Sequence, residues 1–186
     1  MQLGIPTHGP TISLGRLGHD DGAVSDETTA RAEEDFRALD PFFRIIEDGL
    51  RNYTEDEHFF DLLAEDVVFD FVITVPGYPR HVVGRDNLIG LFRGYGRSFF
   101  LDSCDDLRVH HDPDTSTVVL EYSSHGTVVG TGYPYSNRYI SVITIKDRKI
   151  VGWRDYLDPL RVFAALEGRP FEDSSPPEPQ PLPPPA

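Results

Sequence analysis

The chain has a single cysteine, Cys104, so no disulfide can close within it, and neither a cysteine framework nor a thiolate zinc cluster can be built. Long apolar runs are missing too, and no stretch approaches the length that crosses a bilayer. The first residues, MQLGIPTHGPTISLG, lack the basic start and continuous apolar segment of a secretion signal. Basic residues are few: 17 Lys and Arg stand against 31 Asp and Glu, a net charge of −14, with no cluster to neutralise phosphates. Phosphate loops are absent as well, because GYGRS at 94–98 and GTGYP at 130–134 lack the strand-to-helix context and the lysine. These absences exclude nucleic acid and membrane as expected partners. They leave a cytoplasmic protein acting on a small molecule as the expectation.

Enough apolar material is present, 39% of residues with 11% aromatic, to bury one substantial core. Residues 1–25, rich in Gly, Pro, Thr and Asp without periodicity, read as an irregular N-terminal arm. From Ser174 the chain runs SSPPEPQPLPPPA, which favours extended polyproline conformations, so 171–186 reads as a Pro-rich disordered tail. The domain lies between, at 26–170.

Within that domain, Asp40 and Pro41 offer a cap and a first-turn proline to a helix carrying Phe42, Ile45, Ile46 and Leu50 on one face. Thr54 and Glu57 form a candidate capping box for a short second helix ending near Asp66, and Val67–Val75 reads as a strand. After the PGYPR turn, Leu88, Phe92, Tyr95 and Phe99 mark a third helix. Strand patterns then follow at Leu107–His111, Val118–Val129, Arg138–Ile145 and Lys149–Leu157, before a last helix from Pro159 to Gly168. Helices first and hairpin-linked strands afterwards indicate an α+β fold. The expected form is a cone-shaped, curved, mainly antiparallel sheet wrapped by three to four helices around an apolar pocket, with Gly126, Gly130, Gly132 and Gly152 as bend positions.

Three segments carry a family likeness: AEDVVFDF at 64–71, VVGRDNLIGLF at 82–92 and GYPYSNRYISVITIKDRKIVGWRDYLDPLRVFAAL at 132–166. Over roughly Pro41 to Gly168 the chain resembles SnoaL-like and ketosteroid-isomerase-related proteins of the nuclear transport factor 2 superfamily. The resemblance implies the cone fold and leaves the activity open, since function lives in the site rather than the fold. Where ketosteroid isomerases carry a catalytic aspartate at the end of the first strand, this chain has Phe71, with Asp70 on the opposite face. WRDYLD resembles the end of limonene epoxide hydrolases, but Tyr122-Ser-Ser124 stands where their Arg-x-Asp is expected. Phenazine biosynthesis A/B proteins and SnoaL-type polyketide cyclases carry one carboxylate on the last strand. Asp155 matches that position.

On the last strand Trp153, Asp155 and Leu157 share one face, so the carboxylate should be desolvated and its pKa raised into the range useful for proton transfer. The competing role is a strand-end ion pair with Arg138 or Arg97. His125 is the second acid/base candidate, with a hydrogen-bonded core or interface histidine as the alternative. Asn137 and Tyr139 share a face and could polarise a carbonyl. Trp153, Tyr53 and Tyr122 complete the substrate-contact candidates. His58, His110, His111, Asp112 and Asp114 do not form a convergent ligand set on strand geometry, so no metal is expected. The expectation is a cofactor-independent acid/base enzyme of the isomerase, cyclase or dehydratase type. Its substrate would be a small apolar, carbonyl- or hydroxyl-bearing metabolite, polyketide- or terpenoid-like, of secondary metabolism. A limonene-epoxide-hydrolase-like enzyme and a non-catalytic binding or dimerisation module are the alternatives. Val142, Thr144, Arg154 and Tyr156, on the face away from the pocket, point to a homodimer.

Overall fold

Pro41 and the spacing of Phe43, Ile46 and Leu50 produce helix α1 (Asp40–Leu50), whose apolar face is buried. Asp40 is a first-turn residue and not the cap. Leu39 occupies the N-cap and no side chain bonds there, because a 3-10 turn at Arg37–Leu39 leads straight into the helix. The computed structural model describes residues 36–56, 58–73 and 79–171. The N-terminal arm, the tail beyond Phe171, Glu57 and most of the PGYPR turn lie outside the described residues.

The second helix is one 3-10 turn, Phe59–Leu62. Thr54 does not cap it; its hydroxyl donates back to the Leu50 carbonyl at 3.1 Å and closes α1 instead. Strand β1 therefore begins earlier than its β-branched centre suggests, at Leu63, and ends at Phe71. A three-residue edge strand, β2 (His81–Val83), precedes α2 (Arg85–Arg93). A further 3-10 turn, Tyr95–Arg97, leads into β3 (Phe99–Asp112), which starts eight residues before the segment the sequence pattern marks. Its early half alternates poorly because of bulges. Strands β4 (Thr117–Val128), β5 (Pro134–Lys146) and β6 (Lys149–Leu157) follow, then α3 (Pro159–Leu166). Asp158 caps α3 through its Oδ1, which accepts from the Leu160 amide at 2.9 Å.

The six strands form one sheet in the order β2-β1-β6-β5-β4-β3. All pairings are antiparallel except β1 with β6. The architecture is the α+β cone, a curved sheet whose inner face packs against the helices. Phe42, Phe43, Phe59, Phe69, Phe92 and Trp153 meet there in edge, tilted and stacked contacts, with ring centroids 4.4–6.1 Å apart. Among the described residues, no helix is long and apolar enough to cross a membrane.

Curvature comes from register shifts. In β3 the pairing slips between Leu101 and Ser103 and again between Asp105 and Arg108, where Asp106 adopts a positive φ of 56°. Gly126 faces the first slip. A β-carbon there would stand 2.1 Å from the Phe100 carbonyl oxygen and 2.8 Å from the Leu101 Cα, backbone atoms that cannot rotate away. Gly126→Ala is therefore expected to destabilise the domain by about 3 kcal/mol, as overpacking against backbone does. Urea unfolding measures this, and a loss under about 1 kcal/mol would show that β3 and β4 separate freely.

Candidate functional site

The register of three strands places Phe71, Asp155 and Ser141 side by side on the inner face, since the Cα of Asp155 pairs with Phe71 on β1 and Ser141 on β5. Trp153 and Leu157 flank it along β6, as strand alternation requires. The Asp155 residue is 5% exposed. Ser141 Oγ donates to its Oδ1 at 2.6 Å, and the Trp153 Nε1 donates to the same oxygen at 3.4 Å. Neither Arg138 nor Arg97 is a partner. Burial pushes the carboxyl from its usual 3.8 up to about 7, and the bonds from Ser141 and Trp153 oppose that rise without cancelling it. Oδ2 accepts no hydrogen bond among the described residues.

Ser141 extends the site. Its hydroxyl has one proton, directed at Asp155, so the Tyr122 hydroxyl 3.2 Å away donates to it. The result is a relay running Tyr122, Ser141, Asp155. Tyr122 is fully buried and its ring stacks on Tyr139 at 5.1 Å with 4° between planes. Burial, and then the neighbouring Asp155, hold the Tyr122 phenol well above its ordinary pKa, so it remains a donor. Ser141 is absent from the sequence candidates. Its one sequence signal is alternation with Tyr139 and Ile143.

The other candidates are distributed unevenly. Tyr139 lies on the same inner face, its hydroxyl 2.8 Å from that of Tyr135. Asn137 is beside them but its amide is fully engaged: Nδ2 donates to Tyr135 Oη and the Asp158 carbonyl, and Oδ1 accepts from the amides of Arg138 and Asp158. It clamps the start of α3 to β5, so no donor remains to polarise a substrate carbonyl. Trp153, 1% exposed, packs beneath Asp155 against Phe42, Phe59 and Phe69 and is a support, not a substrate wall.

His125 is not brought to Asp155. It belongs to the outer set of β4 with Glu121 and Ser123, and its Nε2 lies 3.1 Å from Asp105 Oδ1 in an exposed pair. Tyr53 sits at the opposite end of the sheet, its ring tilted against that of His111 with centroids 4.6 Å apart, in a groove with Asp147 and Arg148. Among the described residues, no three His, Cys, Asp or Glu side chains are arranged to hold a metal ion. Among the described residues, no arginine or second carboxylate is bonded to Asp155. Tyr122 and Ser124 occupy the inward positions where an epoxide hydrolase needs its charged pair.

Residues 48–153 match the sequence profile of the SnoaL-like domain. The uncharacterized protein YesE of Bacillus subtilis is 33% identical over 124 residues, covering 67% of this chain and 80% of that protein. A Bacillus subtilis crystal structure that carries the provisional name of an isomerase superposes with a TM-score of 0.57 at 29% identity, over 77% of this chain and 95% of its own. A phenazine biosynthesis-related protein of Pseudomonas aeruginosa shares the fold, with a TM-score of 0.54 at 19% identity over 84% of this chain and 99% of its own.

The raised pKa makes Asp155 a source of pH-dependent instability. Between about pH 4 and pH 7 the folded state keeps a proton that the unfolded state releases, so stability falls as pH rises through that window. The full loss, above about pH 7, is roughly 4 kcal/mol. Asp155→Asn should therefore raise stability in urea titrations at pH 8 and have little effect near pH 4. A loss at pH 8, or an equal gain at both, would contradict this assignment.

Proposed function

The chain belongs to the SnoaL-like domain family, and from that premise we propose that it is an isomerase- or cyclase-type enzyme that moves protons through Asp155 without a cofactor. Its substrate would be a small, largely apolar metabolite bearing a carbonyl or hydroxyl group. The observation that carries this reading is the Asp155 carboxyl itself: buried, tied at Oδ1 by Ser141 and Trp153, unbonded at Oδ2 among the described residues, and with its pKa pushed up to about 7 by that burial. The Bacillus subtilis structure with the isomerase name supports the reaction type.

In this mechanism the ionised Oδ2 takes a proton from a carbon beside the substrate carbonyl, and the electron pair of that C–H bond forms an enolate. Asp155, now a neutral acid, returns the proton to another carbon, which is an isomerisation. In a ring closure the enolate carbon instead adds to a second carbonyl carbon of the same molecule, the π pair of that C=O moves to its oxygen, and Asp155 protonates the resulting alkoxide. The two donors on Oδ1 hold the carboxylate in one orientation and favour its charged form. The Tyr122–Ser141 relay spreads that charge while it lasts. A pKa near the working pH keeps both directions of transfer accessible.

Proton exchange tests this without knowledge of the natural substrate. A panel of cyclic ketones in D2O should lose α-protons faster with the enzyme, with a rate that rises through about pH 7. Asp155→Asn should slow exchange on the order of a hundredfold or more, the usual contribution of one positioned acid/base, with circular dichroism unchanged. Near-full exchange in the variant would remove Asp155 from the reaction.

The proposal includes a homodimer across the outer face of the sheet. Ile140, 44% exposed, lies there beside its Cα partner Tyr156, next to Val142 and Arg154. Sedimentation at micromolar concentration should show twice the 20.9 kDa chain mass. A single monomeric species would rule the dimer out.

A further inference from the structure

The outer face of the sheet bears a groove of about 560 Å³, walled by Asp106 and Arg108 on β3 and by Arg138 and Ile140 on β5, with Glu121 and Ser123 of β4 between them. Ser123 is only 7% exposed, whereas the four wall residues are all exposed. Most charges around the groove are matched within the chain. His110 holds Glu121 at 2.9 Å, His125 holds Asp105 at 3.1 Å, and Asp158 caps α3 and pairs with Arg161 at 3.6 Å. Three are left over. Asp106, Arg108 and Arg138 form no side-chain hydrogen bond or ion pair among the described residues.

Strand register fixes how these three are disposed. The Cα of Ser123 pairs with Asp105 on β3 and with Arg138 on β5, and the Cα of Glu121 pairs with Arg108 and with Ile140. Asp106, in the bulge one residue past Asp105 and at a positive φ of 56°, therefore stands nearly level with Arg138 on the other side of β4. Two strand spacings, roughly 10 Å, separate their backbones, and the side chains do not bond to one another. Opposite charges at equal height on either side of one strand are self-complementary under a two-fold rotation. When two copies stack outer face to outer face with the axis along β4, β3 of one lies over β5 of the other. Each Asp106 then faces an Arg138, and each Arg108 lies over an exposed Ile140 that its aliphatic stem covers. The net charge of −14 gives such matching weight, because two unmatched copies repel.

We propose that Asp106 and Arg138 form reciprocal ion pairs across the two-fold of a homodimer, each carboxylate meeting Arg138 of the partner subunit, with β4 running along the axis. This rests on the reading of the outer face as the dimer surface, and it names the contacts that orient that surface. Each pair is charge-assisted and enclosed between two sheets, so it selects one stacking of the faces over displaced ones that leave the charges unmatched. The groove is filled by a second copy of this chain.

Charge reversal on the full chain tests this, read as the dimer dissociation constant from sedimentation over a dilution series. Arg138→Glu alone sets like charges against each other at both pairs, as does Asp106→Lys, and each should raise the constant about a hundredfold. Mixed in equal amounts, the two variants should form a heterodimer near the native affinity. One pair is then rebuilt from the introduced lysine and glutamate, and the other remains Asp106 with Arg138. The neutral variants Arg138→Gln and Asp106→Asn, the latter suited to a left-handed backbone, guard against loss of fold and should each weaken the dimer about tenfold. Circular dichroism should be native throughout. A native dimer whose affinity neither reversal moves would overturn the ion pairs and leave the dimer standing. Weakening by both reversals that mixing does not repair would overturn them as well, since the two residues would then act separately. A native chain that stays monomeric at micromolar concentration overturns the dimer and the pairs together and leaves the groove to another occupant. None of these outcomes bears on proton exchange at Asp155, so the enzymatic reading is judged separately.

Discussion

One carboxylate sits inside an aromatic core with no cation bonded to it among the described residues, and the organisation of the inner face follows from that. Burial raises the Asp155 pKa to about 7, which corresponds to roughly 4 kcal/mol held against the ionised folded state. A domain of this size has only about 5–15 kcal/mol of stability in total. The opposing contribution comes from the rings of Phe42, Phe43, Phe59, Phe69, Phe92 and Trp153, each buried wholly or in large part. An arginine beside Asp155 would relieve the penalty and return the carboxyl toward its ordinary pKa. Two neutral donors, Ser141 and Trp153, orient it and relieve the penalty only in part.

That arrangement depends on sheet register. The β5–β6 hairpin turns on Asp147 and Arg148, both at positive φ, and pairs Lys146 with Lys149 and Ile145 with Ile150. Continued without interruption, this register would set Asp155 opposite Ile140. A slip between Thr144 and Ile145 leaves Val151 as the extra residue and advances the pairing by one, so that Ser141 meets Asp155. The same slip lets Ile150 and Trp153, three residues apart, both point inward, which regular alternation forbids. Gly152 sits at the slip in β6 and Gly126, on β4, faces the first slip in β3, so two of the glycines with bend potential mark places where the sheet changes course.

Much of the fold is legible in the residues. The β5 and β6 strands and the capped helix after Asp158-Pro159 follow from alternation, turn and capping chemistry, and the inward placement of Asp155 follows from its spacing to Trp153. The short second helix and the early start of β3 do not follow, because Thr54 bonds back to Leu50 and the bulges at Asp102 and Asp106 erase the period of two. His125 and Asn137 were reasonable candidates by residue type. Alternation already assigns His125 the face of Glu121 and Ser123, and only the paired strands show that face to be the outer one. Asn137 is lost as a donor to Asp158, whose backbone lies 21 residues on.

By itself, the sequence determined which residue types share a strand face, where the chain turns and that a carboxylate lies among apolar side chains. These are properties of neighbours within a few positions, set by the periods of the backbone. Only the tertiary structure decided which face is inner, which hydroxyl meets Asp155 and which polar atoms remain unspent. Those outcomes rest on pairings between strands far apart in the chain, and on a one-residue slip whose effect on register no local pattern encodes.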